Sequence, residues 1–381
     1  MHERARTVVV FSGGGTGGHL YPALALADAL VALRPDVRPF FVGASRGVEA
    51  DILPERGAEH VLLPVRGFQR GRGLAGLGAL PALVVSLVRT AGLFRRLRPE
   101  VVVVTGGYAG GPAGLVGGAL RIPLVLQEQN ALPGVTTRLL SRWARRIHVA
   151  FPEAVALLPA GARRRTVVSG NPVRPDAAVD RGRARESFGL SPEGLVVLVV
   201  GGSQGSVALN RVVLEAVRGV VGGVLDRPEG VALLWSTGPR HHASVDAALE
   251  AVGPPAWVRA VPYIHDMPSA LAAAELAVSR AGAMATAELL NHGLPAVLVP
   301  LPTAAADHQS RNADALARAG AAVVAREQGL TGSALWAHVV ALASDAPLRE
   351  RMGAAARERA RPAAAHDIAA DIATLLPGRA P

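Results

Sequence analysis

The sequence predicts an α/β protein made of two doubly wound domains, each built on a parallel sheet. Short apolar runs recur along the 381 residues without polar alternation, a pattern typical of strands buried on both faces of a parallel sheet. Helical stretches separate these runs, which is the order of wound α/β units. The chain is also too long for one ordinary core, and its pattern of a strand and a glycine turn occurs twice.

The elements follow from these patterns in chain order. Most apolar runs are β-branched and bounded by Gly, Pro or Asn, and they predict strands at 7–11, 101–104, 123–126, 195–200, 231–235, 276–278 and 295–299. Helical spacing predicts helices at 21–33, 207–221, 283–292 and 308–319. The uncharged stretch 101–120 is long enough to cross a bilayer, but its seven glycines and Pro112 favour a strand, a loop and a helix.

The repeated pattern also indicates where the domains divide. The turn behind strand 7–11 reads SGGGTGG (12–18), and the turn behind strand 195–200 reads GGSQG (201–205). A linker is predicted at NPVRP (171–175), where two prolines break the pattern. We therefore predict a first domain at 1–172 and a second at 173–362, with a helical segment at 363–381 that packs back on the first domain.

Composition excludes several kinds of site. With no cysteine, the chain has no disulfide, no thiolate metal site and no cysteine nucleophile, which fits a reducing compartment. The first six residues are polar and the next apolar run is short, so the sequence predicts no secretory signal. We expect a protein that stays in the cytoplasm.

The charge is distributed unevenly along the chain. Residues 1–175 hold 22 arginines against 10 acidic residues, a net charge of +12, whereas residues 176–381 hold 18 against 20, a net charge of −2. Such asymmetry indicates an anionic membrane or a nucleic acid facing the first half. Arginines without interleaved aromatic residues argue against single-stranded nucleic acid.

The first glycine turn is a candidate binding loop that ends in a candidate base. Only glycine permits so abrupt a turn, and a helix that begins behind it offers N–H groups to an anion. His19 ends the turn, and histidine is well suited to move a proton near neutral pH. The turn is not a P-loop, and no acidic residue ends a second strand near residue 43, so a nicotinamide dehydrogenase is disfavoured.

Seven motifs, of which the first glycine turn is one, together point to a known family. They are GGTGGH (14–19), GGY (106–108) with GP (111–112), EQN (128–130), GNPVR (170–174), GGSQG (201–205), SRAGA (279–283) with Glu288, and DHQ (307–309) with NA (312–313). In these motifs and their order the chain resembles the MurG family, which transfers N-acetylglucosamine to the lipid-linked muramyl-pentapeptide precursor of peptidoglycan.

The resemblance implies a fold and a reaction. The fold is GT-B, with two Rossmann-like domains facing a central cleft, the donor UDP-GlcNAc in the second domain and the lipid acceptor towards the first. The reaction is an inverting transfer to the C4 hydroxyl of the muramyl sugar on undecaprenyl diphosphate, without a cofactor. It also implies a peripheral enzyme at the cytoplasmic face of the plasma membrane, active in cell-wall synthesis and division.

The resemblance implies donor contacts residue by residue. Glu288 matches the ribose-binding carboxylate, which can accept from both ribose hydroxyls. Arg174 and Ser203 match positions near the diphosphate, and Ile264 matches the position whose backbone recognises uracil. His308 and Gln309 fall where the family reads the sugar hydroxyls, although a structural role at the helix start is nearly as favoured for His308. The remaining donor residues implied are Thr16, Gly17, Gly18, Asn130, Gln204, Gly205, Ala283 and Met284.

No Asp-x-Asp pair occurs in the chain, so no metal site for the diphosphate is predicted. Arginine and the helix that begins at Ala283 would meet the charge of the leaving group. Two positions depart from the family pattern: Gln127 stands where many relatives carry histidine, and Ala285 replaces a usual threonine. Thr286 beside it is expected to point elsewhere.

His19 is the leading candidate for the base that removes the acceptor proton, and its alternative is a structural histidine at a helix start. Glu128 is the second candidate, for the base or for acceptor orientation. The acceptor side is predicted to include Gly14, Gly15, Tyr108 and Asn130.

Two basic segments of the first domain predict a membrane surface. In the first, arginines flank an apolar stripe at helical spacing: Leu83, Val84, Leu87, Val88, Ala91 and Phe94, with Arg89, Arg95, Arg96 and Arg98. The second contains Arg138, Arg142, Trp143, Arg145 and Arg146. For the stripe alone, an ordinary core-facing helix is an equal alternative.

Two other functions stay open from the sequence. Another GT-B enzyme, such as a UDP-sugar 2-epimerase or a diacylglycerol glycosyltransferase, would share Glu288 and the cleft but would not need GGTGGH together with EQN. A non-enzymatic basic binding protein would explain the charge but not the motifs.

Overall fold

The computed structural model describes residues 7–65, 79–173 and 179–378. The chain forms two compact units, residues 1–175 with 362–381 (unit 1) and residues 176–361 (unit 2). Each unit is a parallel sheet wrapped by helices, which confirms the predicted α/β class. Arg174 and the end of the predicted linker lie outside the described residues.

Unit 1 contains a sheet of seven parallel strands in the order β3-β2-β1-β4-β5-β6-β7. Its strands are β1 (Thr7–Gly13), β2 (Val37–Ala44), β3 (His60–Leu63), β4 (Val101–Gly106), β5 (Leu124–Glu128), β6 (Arg146–Val149) and β7 (Thr166–Val168). The helices between them are α1 (Gly17–Leu33), α2 (Glu49–Glu55), α3 (Ala79–Leu97), α4 (Gly110–Ala119), α5 (Val135–Leu140), α6 (Pro152–Leu157) and α7 (Ala160–Arg163).

Unit 2 contains a sheet of six parallel strands in the order β10-β9-β8-β11-β12-β13. Its strands are β8 (Leu195–Val200), β9 (Val231–Ser236), β10 (Val258–Val261), β11 (Leu276–Ser279), β12 (Ala296–Leu298) and β13 (Ala322–Val324). Its helices are α8 (Arg181–Ser187), α9 (Val207–Val221), α10 (His242–Glu250), α11 (Met267–Ala273), α12 (Ala283–Asn291), α13 (His308–Arg318), α14 (Gly332–Ser344) and α15 (Ala346–Arg359), with a 3-10 turn at Ala305–Asp307 before α13.

The last helix, α16 (Ala364–Ala373), returns to unit 1 and packs on α1. Ile368 and Ile372 are fully buried in the apolar cluster that also contains Leu20 and Phe11. Alternate residues of β1 face opposite clusters, Val9 and Phe11 towards α1 and α16, Val8 and Val10 towards α3 and α4. The sheet is therefore covered on both faces, as its unbroken apolar strands predict.

The predicted strands and helices are present, with two kinds of difference. Helix α1 begins at Gly17, four residues before the predicted start, because the pair Gly17–Gly18 gave no apolar signal and glycine disfavours helix. The strands absent from the predicted set are β2, β3, β6, β7, β10 and β13. In β2 the apolar run is preceded by Arg38 and Pro39, and the other five strands have only three or four residues, which is too short a run to be recognised. Stretch 101–120 forms β4 and α4, and no described helix is long and apolar enough to span a membrane.

Candidate active site

The strand order of each sheet determines where a ligand site is expected. In a parallel sheet, all loops behind the strands leave from one edge, and ligands bind where neighbouring helices turn to opposite faces. In unit 1 this point lies between β1 and β4, since α1 and α4 pack against different apolar clusters. In unit 2 the strand order reverses between β8 and β11. The two glycine-rich turns follow β1 and β8.

His19 lies in the first turn of α1, half-buried, at the predicted site of unit 1. Its Nδ1 is 3.1 Å from the carbonyl oxygen of Thr105 and 2.9 Å from Oε1 of Gln129. Both partners are acceptors, so Nδ1 carries the proton and donates. In the neutral imidazole, Nε2 is then the nitrogen without a proton, which is the form a general base needs.

The GGY motif provides the surface on which the imidazole lies. Gly106 and Gly107 have φ values of +93° and +70°, which favour glycine. A Cβ at Gly106 would lie 3.1 Å from Nδ1 of His19. A Cβ at Gly107 would lie 2.1 Å from the oxygen of Gly14 and 2.9 Å from Cδ2 of His19. The loops that carry GGTGGH and GGY are thus in direct contact.

A buried glutamate, Glu49, fills the concave side of the first glycine loop. Its carboxylate accepts from the backbone N–H of Gly15 at 3.0 and 2.9 Å and from that of Ala44 at 2.8 Å. A Cβ at Gly14 or at Gly47 would lie 2.2 Å from this carboxylate. Sequence reasoning missed Glu49, because its separation of 34 positions from Gly15 leaves no local signal.

Glu128 ends β5 and is buried, with four donors around its carboxylate. Oε1 accepts from the backbone and side-chain nitrogens of Asn130 at 3.1 and 3.3 Å. Oε2 accepts from the N–H of Gly134 at 2.9 Å and from the hydroxyl of Thr137 at 2.6 Å. This carboxylate therefore fixes the loop behind β5 and the start of α5, and the same bonds place Asn130 at the carboxyl edge of the sheet.

Tyr108 and the start of α1 complete the site of unit 1. The ring of Tyr108 packs on Gly15, where a Cβ would lie 2.4 Å from Cε1. Burial, and secondarily the charge of Glu49, raise the pKa of the Tyr108 hydroxyl. Thr16 is the exposed N-cap residue of α1 and makes no side-chain cap. The start of α1 at Gly17 and Gly18 thus points its positive dipole end to this edge.

The second glycine turn leaves polar side chains exposed. Gly202 and Gly205 have positive φ, and a Cβ at Gly205 would lie 2.2 Å from the oxygen of Thr237. Ser203 and Gln204 between them are exposed. These two polar side chains therefore face solvent, and no carboxylate comparable to Glu49 accepts from the glycines of this turn in the described contacts.

Arg280, directly behind β11, ties three loops of unit 2 together. It is 6% exposed. Its guanidinium donates to the oxygen of Val299 at 3.0 Å and to the hydroxyl of Ser206 at 2.6 Å, and it forms an ion pair with Glu327. The sequence analysis included Arg280 in the SRAGA motif but assigned it no role. Its position directly after a buried strand was the signal that could have identified it.

Helix α12 carries three of the predicted donor residues. It begins at Ala283 behind Gly282, which offers no side-chain cap. Met284 lies in its first turn and Glu288 follows on the same helix, both half-buried. Thr286 is buried and donates to the oxygens of Gly282 and Ala283, so its hydroxyl points into the helix, as expected, and does not replace the one missing at Ala285.

The remaining donor residues lie on two other loops at the same edge. Ile264, 3% exposed, lies between β10 and α11. Gln309 in the first turn of α13 accepts from the N–H of Leu301 through Oε1 at 3.0 Å, which directs its amide nitrogen away from that loop. Ala306 and Asp307 precede His308 with φ of 51° and 56°. These two residues therefore form a turn of positive φ directly before α13.

Family models and relatives agree with these motifs. The N-terminal domain of glycosyltransferase family 28 matches residues 9–149 and its C-terminal domain matches residues 196–368. The UDP-N-acetylglucosamine--N-acetylmuramyl-(pentapeptide) pyrophosphoryl-undecaprenol N-acetylglucosamine transferase of Salinibacter ruber is 43% identical, over 98% of this chain and 98% of that protein. The enzyme of the same name from Moorella thermoacetica is 41% identical, over 94% and 96%. The chain belongs to the MurG family.

A solved structure of MurG from Acinetobacter baumannii is similar across both units. It is 28% identical, with a TM-score of 0.77, and the match covers 97% of this chain and 99% of that one. The MurG fold is GT-B, so the predicted fold class and enzyme class are confirmed. In this member, His19 contacts Gln129 and Tyr108 contacts Gly15 within unit 1. In unit 2, Ser203 and Ile264 lie in loops, whereas Glu288 lies on α12 and Gln309 on α13. The described residues contain no cluster of three or more potential metal ligands.

Proposed function

We propose that this chain transfers N-acetylglucosamine from UDP-GlcNAc to the C4 hydroxyl of N-acetylmuramyl-pentapeptide on undecaprenyl diphosphate, with inversion at the transferred carbon. The names of relatives at about 40% identity over nearly the whole chain support the substrates. The observation that carries the mechanism is the pairing of His19 Nδ1 with two acceptors, which leaves Nε2 as a base.

The step balances without any further reactant. The C4 oxygen attacks C1 of the sugar from the face opposite UDP, and the C1–O bond to the diphosphate breaks. The electron pair of that bond leaves with UDP, and the hydroxyl proton passes to Nε2 of His19. Because the buried Glu128 carboxylate already accepts four hydrogen bonds, we assign it to loop and acceptor positioning rather than to proton transfer.

Unit 2 holds the donor in this proposal. Glu288 accepts from the ribose hydroxyls, Ile264 marks the uracil site, and His308 and Gln309 contact the sugar. The diphosphate is bound by the second glycine turn, through Ser203, Gln204 and Gly205, and by the start of α12 at Ala283 and Met284. Arg174 adds a positive charge. The remaining donor contacts in this proposal come from Thr16, Gly17, Gly18 and Asn130. The acceptor contacts come from Gly14, Gly15, Tyr108 and again Asn130.

Helix dipole and arginine stabilise the leaving group in this proposal, so no metal cofactor is needed. Activity should therefore persist in a chelator. A loss of turnover in EDTA that Mg²⁺ restores would contradict this part of the proposal.

We also propose that unit 1 binds an anionic membrane, at the cytoplasmic face, where the lipid acceptor lies. On α3, Val84 and Val88 are 57% and 67% exposed, and Arg89 and Arg95 beside them are exposed. Trp143 is 44% exposed with the guanidinium of Arg142 over its ring at 4.9 Å. Exposed apolar side chains among arginines suit an anionic interface.

Four predicted members of this surface have other contacts. Phe94 is buried in the core, and Leu87 and Ala91 pack against that core, so one side of the α3 stripe faces the core and the other faces solvent. Arg146 pairs with Asp371 of α16 at 3.3 Å. We therefore leave Phe94, Leu87, Ala91 and Arg146 out of the proposed membrane surface.

UDP release tests the function. Purified protein is given UDP-GlcNAc alone, with the undecaprenyl-linked muramyl-pentapeptide, or with diacylglycerol. We expect release that depends on the muramyl acceptor and a new disaccharide on the lipid. Release of free sugar without acceptor would instead identify an epimerase, release with diacylglycerol a different transferase, and no release in any arm a binding protein.

A further inference from the structure

We propose that Gln129 is the positioning residue of His19: its side-chain amide holds the imidazole with the proton on Nδ1, and thereby keeps Nε2 ready for the acceptor hydroxyl. The inference deepens the proposed function and rests on it for the role of the base. It assigns to the middle residue of the EQN motif a task that neither Glu128 nor Asn130 can perform, since those two bond to each other.

The contact is direct. Oε1 of Gln129 lies 2.9 Å from Nδ1 of His19, closer than the carbonyl oxygen of Thr105 at 3.1 Å. Thr105 is shared, since its carbonyl also accepts from Nε2 of Gln129 at 2.7 Å. His19, Thr105 and Gln129 therefore form a closed triangle of hydrogen bonds at the carboxyl edge of β4 and β5.

The surroundings fix which way the Gln129 amide points. Its Nε2 faces three oxygens: the carbonyls of Thr105 and Gln127 and the side-chain oxygen of Gln127. A reversed amide would place an oxygen among those three acceptors, so only Oε1 can face His19. Gln127 is held in turn by Asn171, at 3.2 Å. Gln127, Gln129 and Asn171 are all at least 96% buried, which makes the orientation rigid.

None of the titratable side chains described around His19 holds its Nδ1 in place of Gln129. Around His19, Glu49 of α2 binds Gly15 and Ala44, and Glu128 of β5 binds its own loop. Tyr108 behind β4 has a raised pKa, so its hydroxyl is neutral near pH 7. His148 of the neighbouring β6 pairs with Asp371. The partner of the base is thus an amide, not the carboxylate that holds the base histidine in a Ser-His-Asp triad.

The first test reads the tautomer directly and needs no turnover. Protein with ¹⁵N-labelled histidine is studied by NMR at a pH where the imidazole is neutral, and His19→Ala identifies the signals. We expect the Nδ1–H form in the wild type and a larger Nε2–H fraction in Gln129→Leu. Thr90→Val, which removes a buried hydroxyl bonded within α3, serves as the control and should leave the signals unchanged.

The second test uses kinetics. Gln129→Leu should lower kcat about tenfold or more, but not beyond the loss in His19→Ala, with little change in KM. In the His19→Ala background the same substitution should have no further effect. Gln129→Glu should move the acidic limb of the kcat profile to higher pH, because a carboxylate beside Nδ1 stabilises the imidazolium.

Three results would overturn the inference: an unchanged tautomer in Gln129→Leu, an equal loss of kcat with and without His19, or a Gln129→Glu profile that superimposes on that of the wild type. The NMR result stands even if UDP-GlcNAc is not the donor. A failure of the proposed function would therefore appear as absent turnover with the Gln129 effect on the tautomer intact.

Discussion

At the scale of single residues, the two glycine-rich loops differ in what fills them. Gly15 of the first loop donates to the carboxylate of Glu49, so part of its anion-binding concavity is occupied by the protein itself. The second loop instead presents Ser203 and Gln204 to solvent and has the guanidinium of Arg280 at its Ser206 end. The carboxylate of Glu49 disfavours an anionic diphosphate at the first loop, whereas the charge of Arg280 is balanced by its ion pair with Glu327. The difference supports the proposal that the donor lies in unit 2.

The role of Glu49 is testable through backbone exchange. Glu49→Ala leaves the N–H groups of Gly15 and Ala44 without their acceptor, at a cost of about 2 kcal/mol. Hydrogen–deuterium exchange of peptides that contain Gly15 should accelerate, and kcat should fall. Glu55→Ala, an exposed glutamate of the same helix, is the control. Equal exchange in both variants would mean that Glu49 does not hold the loop.

His19→Ala should lower kcat by about 10²- to 10⁴-fold, the usual contribution of a general base. Binding of UDP-GlcNAc, measured by calorimetry, should persist. His366→Ala removes an exposed histidine of α16 and should leave turnover near the wild-type value. Near-normal turnover in His19→Ala would return the role of base to Glu128.

At the scale of elements, α16 shows how a distant segment becomes part of unit 1. Its apolar face packs on α1, and its Asp371 lies 3.1 Å from Nε2 of His148 and 3.3 Å from Nε of Arg146, both on β6. His148 is buried, and its Nδ1 lies 2.8 Å from the hydroxyl of Ser169. This histidine therefore lies at the contact between α16 and the sheet.

The contact predicts a pH dependence of stability. Burial lowers the pKa of His148 below its ordinary value, although Asp371 opposes the shift. As pH falls through the ordinary histidine range, near about 6.5, the unfolded chain binds the proton before the folded one, so folding stability decreases. The stability of the wild type relative to His148→Gln should thus decline between about pH 7.5 and about pH 5.5.

Urea unfolding of both proteins across this range measures the difference. His366→Gln is the control, since this exposed histidine lies beside Asp367 on the surface of α16. A wild-type advantage over His148→Gln that stays constant or grows towards acidic pH would contradict the prediction.

At the scale of the whole molecule, the separation of charge predicts different surfaces for the two units. The excess of arginine lies in residues 1–175, and α3 of this unit exposes Val84 and Val88 beside arginines. Long-range attraction to anionic lipid would bring this unit to the membrane, and the valines would add a short-range apolar contact.

Vesicle binding tests this surface with two charge-matched variants. Val88→Asp should weaken sedimentation with vesicles of anionic lipid, whereas Val224→Asp, at an 80% exposed valine of unit 2, should not. Binding should also decrease as salt rises, because ionic strength screens exposed charges. Equal binding of the two variants would exclude α3 from the contact.

Much of the architecture was predictable from the sequence, because buried parallel strands have a strong local signal. Val8–Phe11 and Leu195–Val200 are apolar throughout, and each is followed by glycines whose positions match turns of positive φ. Short strands such as β7 and β13 depend on pairing with a neighbour, and three residues carry too little periodicity to be recognised.

Some features of the candidate site could likewise be predicted from the sequence, and others could not. The sequence by itself determined the two wound domains, the MurG motifs and the choice of His19, since these depend on residue type and local spacing. Only the tertiary structure decided what holds those residues: Gln129 on His19 across 110 positions, Glu49 on Gly15 across 34 and Arg280 on Ser206 across 74. Parallel strands bring their ends to one edge whatever their separation in the chain, and a hydrogen bond formed there leaves no periodic pattern in the sequence.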